Sequence, residues 1–258
     1  MNLEQGPLGY AIEFERRGLL ESSGNEPKEM LARMADEFPK FDCKANPLGV
    51  VSILNQGNQG SCQGHSLAQI FSICFFLATG RKEAFSRACG YYESQRYDGI
   101  RGDSGSTLSA GQKVAKEHGM CTEAEWPYPS RYDPNSKPGG IKYQYKLDVS
   151  KPFTSVDDMA EWLNAGLPIQ TGIAWNETCN REVVSDWRPG GGGHSTTLWQ
   201  LAPSGNAFNI NSWGGTWCQD GMHEWTWTAI AKMVKHSWST FIGYAPTRMS
   251  FPEQPPIS

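Results

Sequence analysis

The chain has no Cys-x-x-Cys pair and no two histidines at metal-ligand spacing, so a zinc site has no framework in the sequence and no metal is expected. Charge is sparse: charged residues make up 19%, and 23 basic against 27 acidic side chains leave a formal charge of −4. No Lys/Arg stripe follows a phosphate backbone, which argues against a nucleic-acid partner. Long apolar runs are missing too. The most apolar stretch, Leu67 to Ala78, is broken by Gln69, Ser72 and Cys74 and reads as a buried helix rather than a membrane span. The opening MNLEQGPLGY lacks a basic start followed by an apolar run, so no export signal is expected. The glycine run Gly190 to Gly193 precedes a strand and lacks the Lys-Ser/Thr of a phosphate cradle, and no cofactor is expected.

Glycine, proline and tryptophan are plentiful instead. With 28 Gly, 16 Pro, 10 Trp and 38% hydrophobic residues in 258, the chain reads as one loop-rich globular catalytic unit, long enough for two modest lobes facing a cleft. Seven cysteines leave at least one thiol unpaired in a monomer. Many thiols without an export signal fit a reducing compartment, cytoplasmic or virion-associated.

Residues 1–36 read as a charged N-terminal arm, with a short helix from Pro27 to Phe38 capped by Asn25, and 37–258 as the main domain. A mainly helical part, about 50–130, carries the buried helix ending at Gly80, a second from Glu83 to about Tyr97 and a third from the cap Thr107 to His118. A mainly β part, about 140–245, follows. It opens with a helix from Val156 to Ala165 behind the Ser155/Asp158 capping box. Its strands run Pro168 to Trp175, His194 to Leu201, Ala207 to Asn211, Met222 to Trp227 and Thr240 to Ala245. A helical half followed by an antiparallel half predicts an α+β fold with the site where the halves meet.

Amide hydrolysis through a thiol needs a thiolate, a base that returns the proton, and donors for the oxyanion. Cys62 ends the glycine-rich loop Asn55-Gln56-Gly57-Asn58-Gln59-Gly60-Ser61 and begins the apolar helix. There the helix's partial positive charge lowers a thiol's pKa, and the first amide offers a donor. His194 starts an alternating strand beside the glycine run, which suits a base. Asn211 leads Asn211-Ser212-Trp213-Gly214, where an amide oxygen can hold the imidazole tautomer under an indole cover. His194 and Asn211 follow Cys62 by 132 and 149 positions, within the span of about 130–150 typical of papain-type thiol enzymes. His65, one turn past Cys62, is read as packing, His118 as a helix-terminal cation, and His223 and His236 as structural.

These blocks resemble the papain (C1) cysteine peptidases, in pattern closest to bacterial and phage-type members, from about Phe38 to Tyr244. The resemblance implies a papain-like fold, with a helical left lobe and an antiparallel β-barrel-like right lobe. It makes Cys62 the nucleophile, His194 the base, Asn211 its orienting residue and Gln56, six positions before Cys62, an oxyanion donor. Gly105 and Ser106, in a stretch similar to the family's cleft wall before Trp126-Pro127-Tyr128, would meet substrate backbone, and Gly193 and Trp213 are the further substrate-binding candidates. The sequence departs from the family at Gln63, where an aromatic residue is usual, and at Gln59 and the 103–106 stretch, which lack a disulfide pair. Hydrolysis of peptide or isopeptide bonds in a peptide or protein substrate is the expected activity. The alternatives are a structural or assembly module, for example a virion component with an idle or single-use site, bound to a protein partner, and an amine acyltransferase, against which Asn211 in place of Asp argues.

Overall fold

The computed structural model describes residues 49–246. The 1–36 arm and its expected Pro27–Phe38 helix lie outside them. Helix α1, Cys62–Thr79, has 14 of its 18 residues buried, which makes it the central helix rather than a surface one. Gly80 ends it in the left-handed conformation, with its N–H on the Phe76 carbonyl. Helix α2, Arg87–Asp98, starts four residues later than the sequence pattern predicts. Phe85 is held extended against Thr122, and the Ser86 side chain caps the helix by accepting from the Cys89 N–H. Helix α3, Leu108–Lys113, is capped by Thr107 as expected and runs into a wide π-helical turn, Val114–His118. That turn closes when the Gly119 N–H meets the Val114 carbonyl at 2.7 Å.

The second half brings strand β1 (Val149–Pro152), helix α4 (Val156–Asn164), β2 (Ile169–Trp175), β3 (Val183–Val184), β4 (Gly192–Leu201), β5 (Ala207–Ile210), β6 (Met222–Trp225), helix α5 (Trp227–Val234) and β7 (Thr240–Ala245). Ser155 caps α4 through the Asp158 N–H. The sequence pattern did not resolve β1, β3 or α5. The expected Met222–Trp227 strand stops at Trp225 because Thr226 turns the chain and caps α5 by accepting from Ala229.

The strands form one sheet in the order β1-β7-β2-β4-β5-β6-β3, antiparallel except for the β3–β6 pair. The sheet stays open between β1 and β3, so the expected β-barrel-like right lobe is an open sheet not closed by a ladder. In the β2–β4 register Ile173 faces His194 and Ala174 faces Gly193.

Two buried clusters fill the lobes. One gathers the sheet's Ile169, Ile173, Leu198 and Trp225 with α4 and α5, and takes Ile73 and Leu77 from α1. The other packs Leu67, Phe71 and Phe75 of α1 against α2, Trp126 and Tyr145, and takes Ile242 and Tyr244 from β7. Helix α1 is thus apolar on both sides and is shared by both cores. Among the described residues no helix is long and apolar enough to cross a membrane.

Candidate active site

Helix α1 presents Cys62 as its first residue, fully buried, behind Ser61. No acidic side chain of α1 itself occupies its first turn. The same end of α1 docks on the start of β4: Ser66 Oγ lies 2.7 Å from Ser195 Oγ, next to His194, and Thr197 Oγ1 donates to the Ser66 carbonyl at 3.3 Å. Gln170 of β2 adds donors to the Gln63 carbonyl and to Ser66 Oγ. This polar seam between the lobes brings the first turn of α1 and the His194 end of β4 together.

His194 is also fully buried. Its Nε2 lies 2.7 Å from Asn211 Oδ1, and the Ser212 backbone N–H reaches the same oxygen at 2.7 Å. A backbone N–H must face an acceptor, so that atom is the amide oxygen, and His194 Nε2 therefore carries the proton and donates. The bare lone pair is on Nδ1, which has no hydrogen-bond partner among the described residues. Trp213 stacks on the imidazole at 4.6 Å and 29°, and Trp175 meets it edge-on at 4.6 Å. Burial pulls the imidazole pKa down to about 4, while the Asn211 bond opposes that shift. The ring is neutral at pH 7 unless an anion stands beside it.

Gln56 is buried, and its amide orientation is fixed. Nε2 donates to the Gln59 carbonyl at 2.8 Å, and Oε1 accepts from Ser212 Oγ at 2.6 Å. The Gln56 N–H also meets the Ser212 carbonyl at 2.9 Å. Ser212, which the sequence reading passed over, thus grips both Gln56 and Asn211. Its position within Asn211-Ser212-Trp213-Gly214 was the available signal. Tyr128 is a second omission: its hydroxyl donates to the Gln56 carbonyl at 3.0 Å and sits 2.5 Å from Ser61 Oγ.

The remaining candidates fall as follows. Gly193 is half-buried in β4 and Trp213 half-buried beside His194. Gly105 and Ser106 are buried, and their polar groups point into the helical lobe. The Gly105 N–H reaches Tyr91 Oη, its carbonyl accepts from Gln95, and Ser106 Oγ donates to Asp98. The exposed edge of that stretch is Arg101 to Ser104. Gln63 inserts its side chain over Gly111, where a Cβ would lie 2.1 Å from Gln63 Nε2.

His65 packs inward, giving its Nδ1 proton to the Ser61 carbonyl at 3.0 Å, and burial lowers its pKa to about 3. His118 does end the π-helical turn. Burial lowers its pKa more than Glu93, 3.6 Å away, raises it. His223 has partners in the Arg181 carbonyl, Asn209 and Trp225. Burial pushes the thiols of Cys74 and Cys89 up, Cys179 to about 12 and Cys218 to about 11, so these four are poor nucleophiles.

This architecture is the papain-like fold. It matches xylellain, a cysteine protease from Xylella fastidiosa, over 96% of this chain and 100% of that one, with a TM-score of 0.67 at 21% identity. The proform of the ragweed pollen cysteine protease Amb a 11 aligns over 93% of this chain and 74% of its own, with a TM-score of 0.70 at 18% identity. The bromelain protease from Ananas comosus aligns over 77% and 94%, with a TM-score of 0.60 at 15% identity. No protein-family model and no curated protein matches the sequence.

Proposed function

We propose that the protein is a cysteine-type peptidase that hydrolyses peptide or isopeptide bonds through Cys62 and His194, with residues 37–258 as the catalytic unit and 1–36 as an arm. The observation that carries this reading is the bare Nδ1 of His194, held by the Nε2–Asn211 bond at the end of β4 that docks on the first turn of α1. Cys62 Sγ attacks the carbonyl carbon and passes its proton to Nδ1; the Gln56 side-chain amide and the Cys62 N–H hold the oxyanion. Collapse expels the amine, which takes the proton from His194, and leaves a thioester on Cys62. Water, deprotonated by His194, then attacks the thioester and releases the carboxylic acid. Because burial alone keeps His194 neutral, the ion-pair form requires a Cys62 thiolate beside Nδ1. Gly193 and Trp213 line one wall of the cleft, and the stretch supported by Gly105 and Ser106 lines the other. A reducing compartment or a virion suits the thiols.

A second reading is an assembly module with an idle or single-use site, and the full burial of both Cys62 and His194 favours it. Intact-mass labelling near pH 6 with an epoxide or iodoacetamide separates the two. The peptidase reading expects fast single labelling at Cys62 that disappears in Cys62→Ala and His194→Ala, with peptide turnover. It also expects Gln56→Ala to lose about 10²–10³ in kcat as one oxyanion donor. Sluggish labelling of all thiols alike, without turnover, establishes the assembly reading instead.

A further inference from the structure

Three consecutive residues lead into Cys62, and each is tied to the helical lobe by a different group. The Gln59 side chain donates to the Pro129 carbonyl at 2.7 Å and accepts from Tyr92 Oη at 3.4 Å. Ser61 Oγ pairs with Tyr128 Oη at 2.5 Å. Between them, the buried Gly60 offers its backbone N–H to Asp103 Oδ1 at 2.8 Å. Only this middle tie brings a charge, and a carboxylate acceptor makes a shorter and stronger bond than a neutral one.

We infer that Asp103 is a positioning residue for the proposed peptidase reaction, its carboxylate fixing the Gly60 backbone and through it the placement of Cys62 and Gln56. The inference rests on the reading of Cys62 as nucleophile. Asp103 is itself rigidly held. Tyr91 Oη donates to the same Oδ1 at 3.0 Å and accepts the Gly105 N–H at 3.2 Å. Gln95 Nε2 bonds the carbonyls of Gly102 and Gly105, each at 2.9 Å. Asp98 Oδ2 takes Ser106 Oγ at 2.7 Å and the Thr107 N–H at 3.0 Å. The loop that carries Asp103 is therefore stapled to α2 on both sides. Burial first and Asp103 second push the Tyr91 phenol well above its ordinary pKa, so it remains a donor. The approach is close: a Cβ on Gly60 would lie 3.2 Å from the Asp103 carbonyl oxygen and 3.3 Å from the Gly105 nitrogen.

Asp103 is exposed, so a direct contact with substrate is the rival explanation, and the two differ in kinetics. Displacing the nucleophile loop lowers kcat, whereas losing a uniform substrate contact raises KM. The test compares wild type, Asp103→Ala, Asp103→Asn and Tyr91→Phe, with kcat expressed per Cys62 titrated by the epoxide so that unfolded protein is not counted. Asp103→Ala is expected to lose about tenfold to a hundredfold in kcat per site, as for a misplaced catalytic group, with KM within about twofold. Asp103→Asn keeps a neutral acceptor for the Gly60 N–H and restores part of the rate, above the Ala variant and below wild type. Tyr91→Phe, which leaves the carboxylate in place but unsupported, gives an intermediate loss and provides the test if Asp103→Ala does not fold. Unchanged kcat per site in Asp103→Ala or Tyr91→Phe, a rise in KM alone, or an Asn variant no better than Ala overturns the inference. A wild-type chain inert to the epoxide removes the peptidase reading and the inference together, whereas an active wild type with indifferent variants removes the inference alone.

Discussion

Single atoms decide most of what the site is able to do. Asn211 Oδ1 accepts two hydrogen bonds, one from the Ser212 backbone and one from His194, and the first makes the second unambiguous. Replacing Asn211 with Ala frees the imidazole to rotate and to exchange tautomers. The expected outcome is a loss of about 10²-fold in kcat/KM and slower epoxide labelling of Cys62. A variant that labels at the wild-type rate would show that Trp213 and Trp175 hold the ring without help. At this scale the sequence was informative wherever a residue type has few other uses. Asn211 beside Trp213 and His194 after a glycine run stand out, and the structure joins them. Ser212 and Tyr128 lay inside blocks the sequence made conspicuous, but their roles are geometric: a serine hydroxyl or a tyrosine on a loop carries no sign of which oxygen it will reach. Gly105 and Ser106 show the opposite limit, since the resemblance to papain-type enzymes implied a place on the cleft wall but did not reveal that their polar groups face inward.

Elements were legible where a cap or a stop marked them. Thr107 and Ser155 cap the helices expected of them, and Gly80 ends α1. Helix α5 was missed because the aromatic run around Trp225 and Trp227 reads as strand, although the Thr226 cap lay within it. Between the elements, one buried carboxylate does what no pattern foretells. Glu93 on α2, 1% exposed, accepts from Tyr143 Oη at 2.7 Å and pairs with Lys137 at 3.2 Å and Arg96 at 3.2 Å. It pins the long stretch after Tyr128 to the helical lobe. Removing Glu93 takes the acceptor from the Tyr143 hydroxyl, a cost of about 1–3 kcal/mol, whereas Arg96 and Lys137 keep access to solvent. Glu93→Ala is therefore expected to lower the urea midpoint by that amount of stability and to open residues 130–142 to limited proteolysis. Cleavage there no faster than in the wild type would refute the pin.

For the molecule as a whole, three imidazoles are buried neutral. Burial sets His65 at about 3, His194 at about 4 and His223 at about 3, against 6.5 for an exposed ring. Below pH 6.5 the unfolded chain binds protons at these positions that the folded chain refuses, so stability is full above that pH and falls as the solution is acidified. With three such groups the slope approaches ~4 kcal/mol per pH unit, which by pH 4 removes up to about 10 kcal/mol, the larger part of an ordinary stability of about 5–15 kcal/mol. Near-ultraviolet circular dichroism is expected to show acid unfolding with a midpoint between pH 6 and pH 4, and peptide turnover to vanish along the same curve. Native packing persisting below pH 4 would contradict it.

The sharing of α1 between the two cores bears on how the chain is made. Ile73 and Leu77 leave the N-terminal half to complete the sheet's interior, and Ile242 and Tyr244 come from the last strand to complete the helical one. Neither half contains a finished core of its own. A ribosome releasing this chain has exposed all of α1, α2 and α3 long before β7 emerges, so the helical lobe waits, incomplete, while every residue between Lys113 and Thr240 is added. A chain stopped before Thr240 lacks a piece of both interiors at once, which makes the far end of the sequence a checkpoint on the Cys62 end.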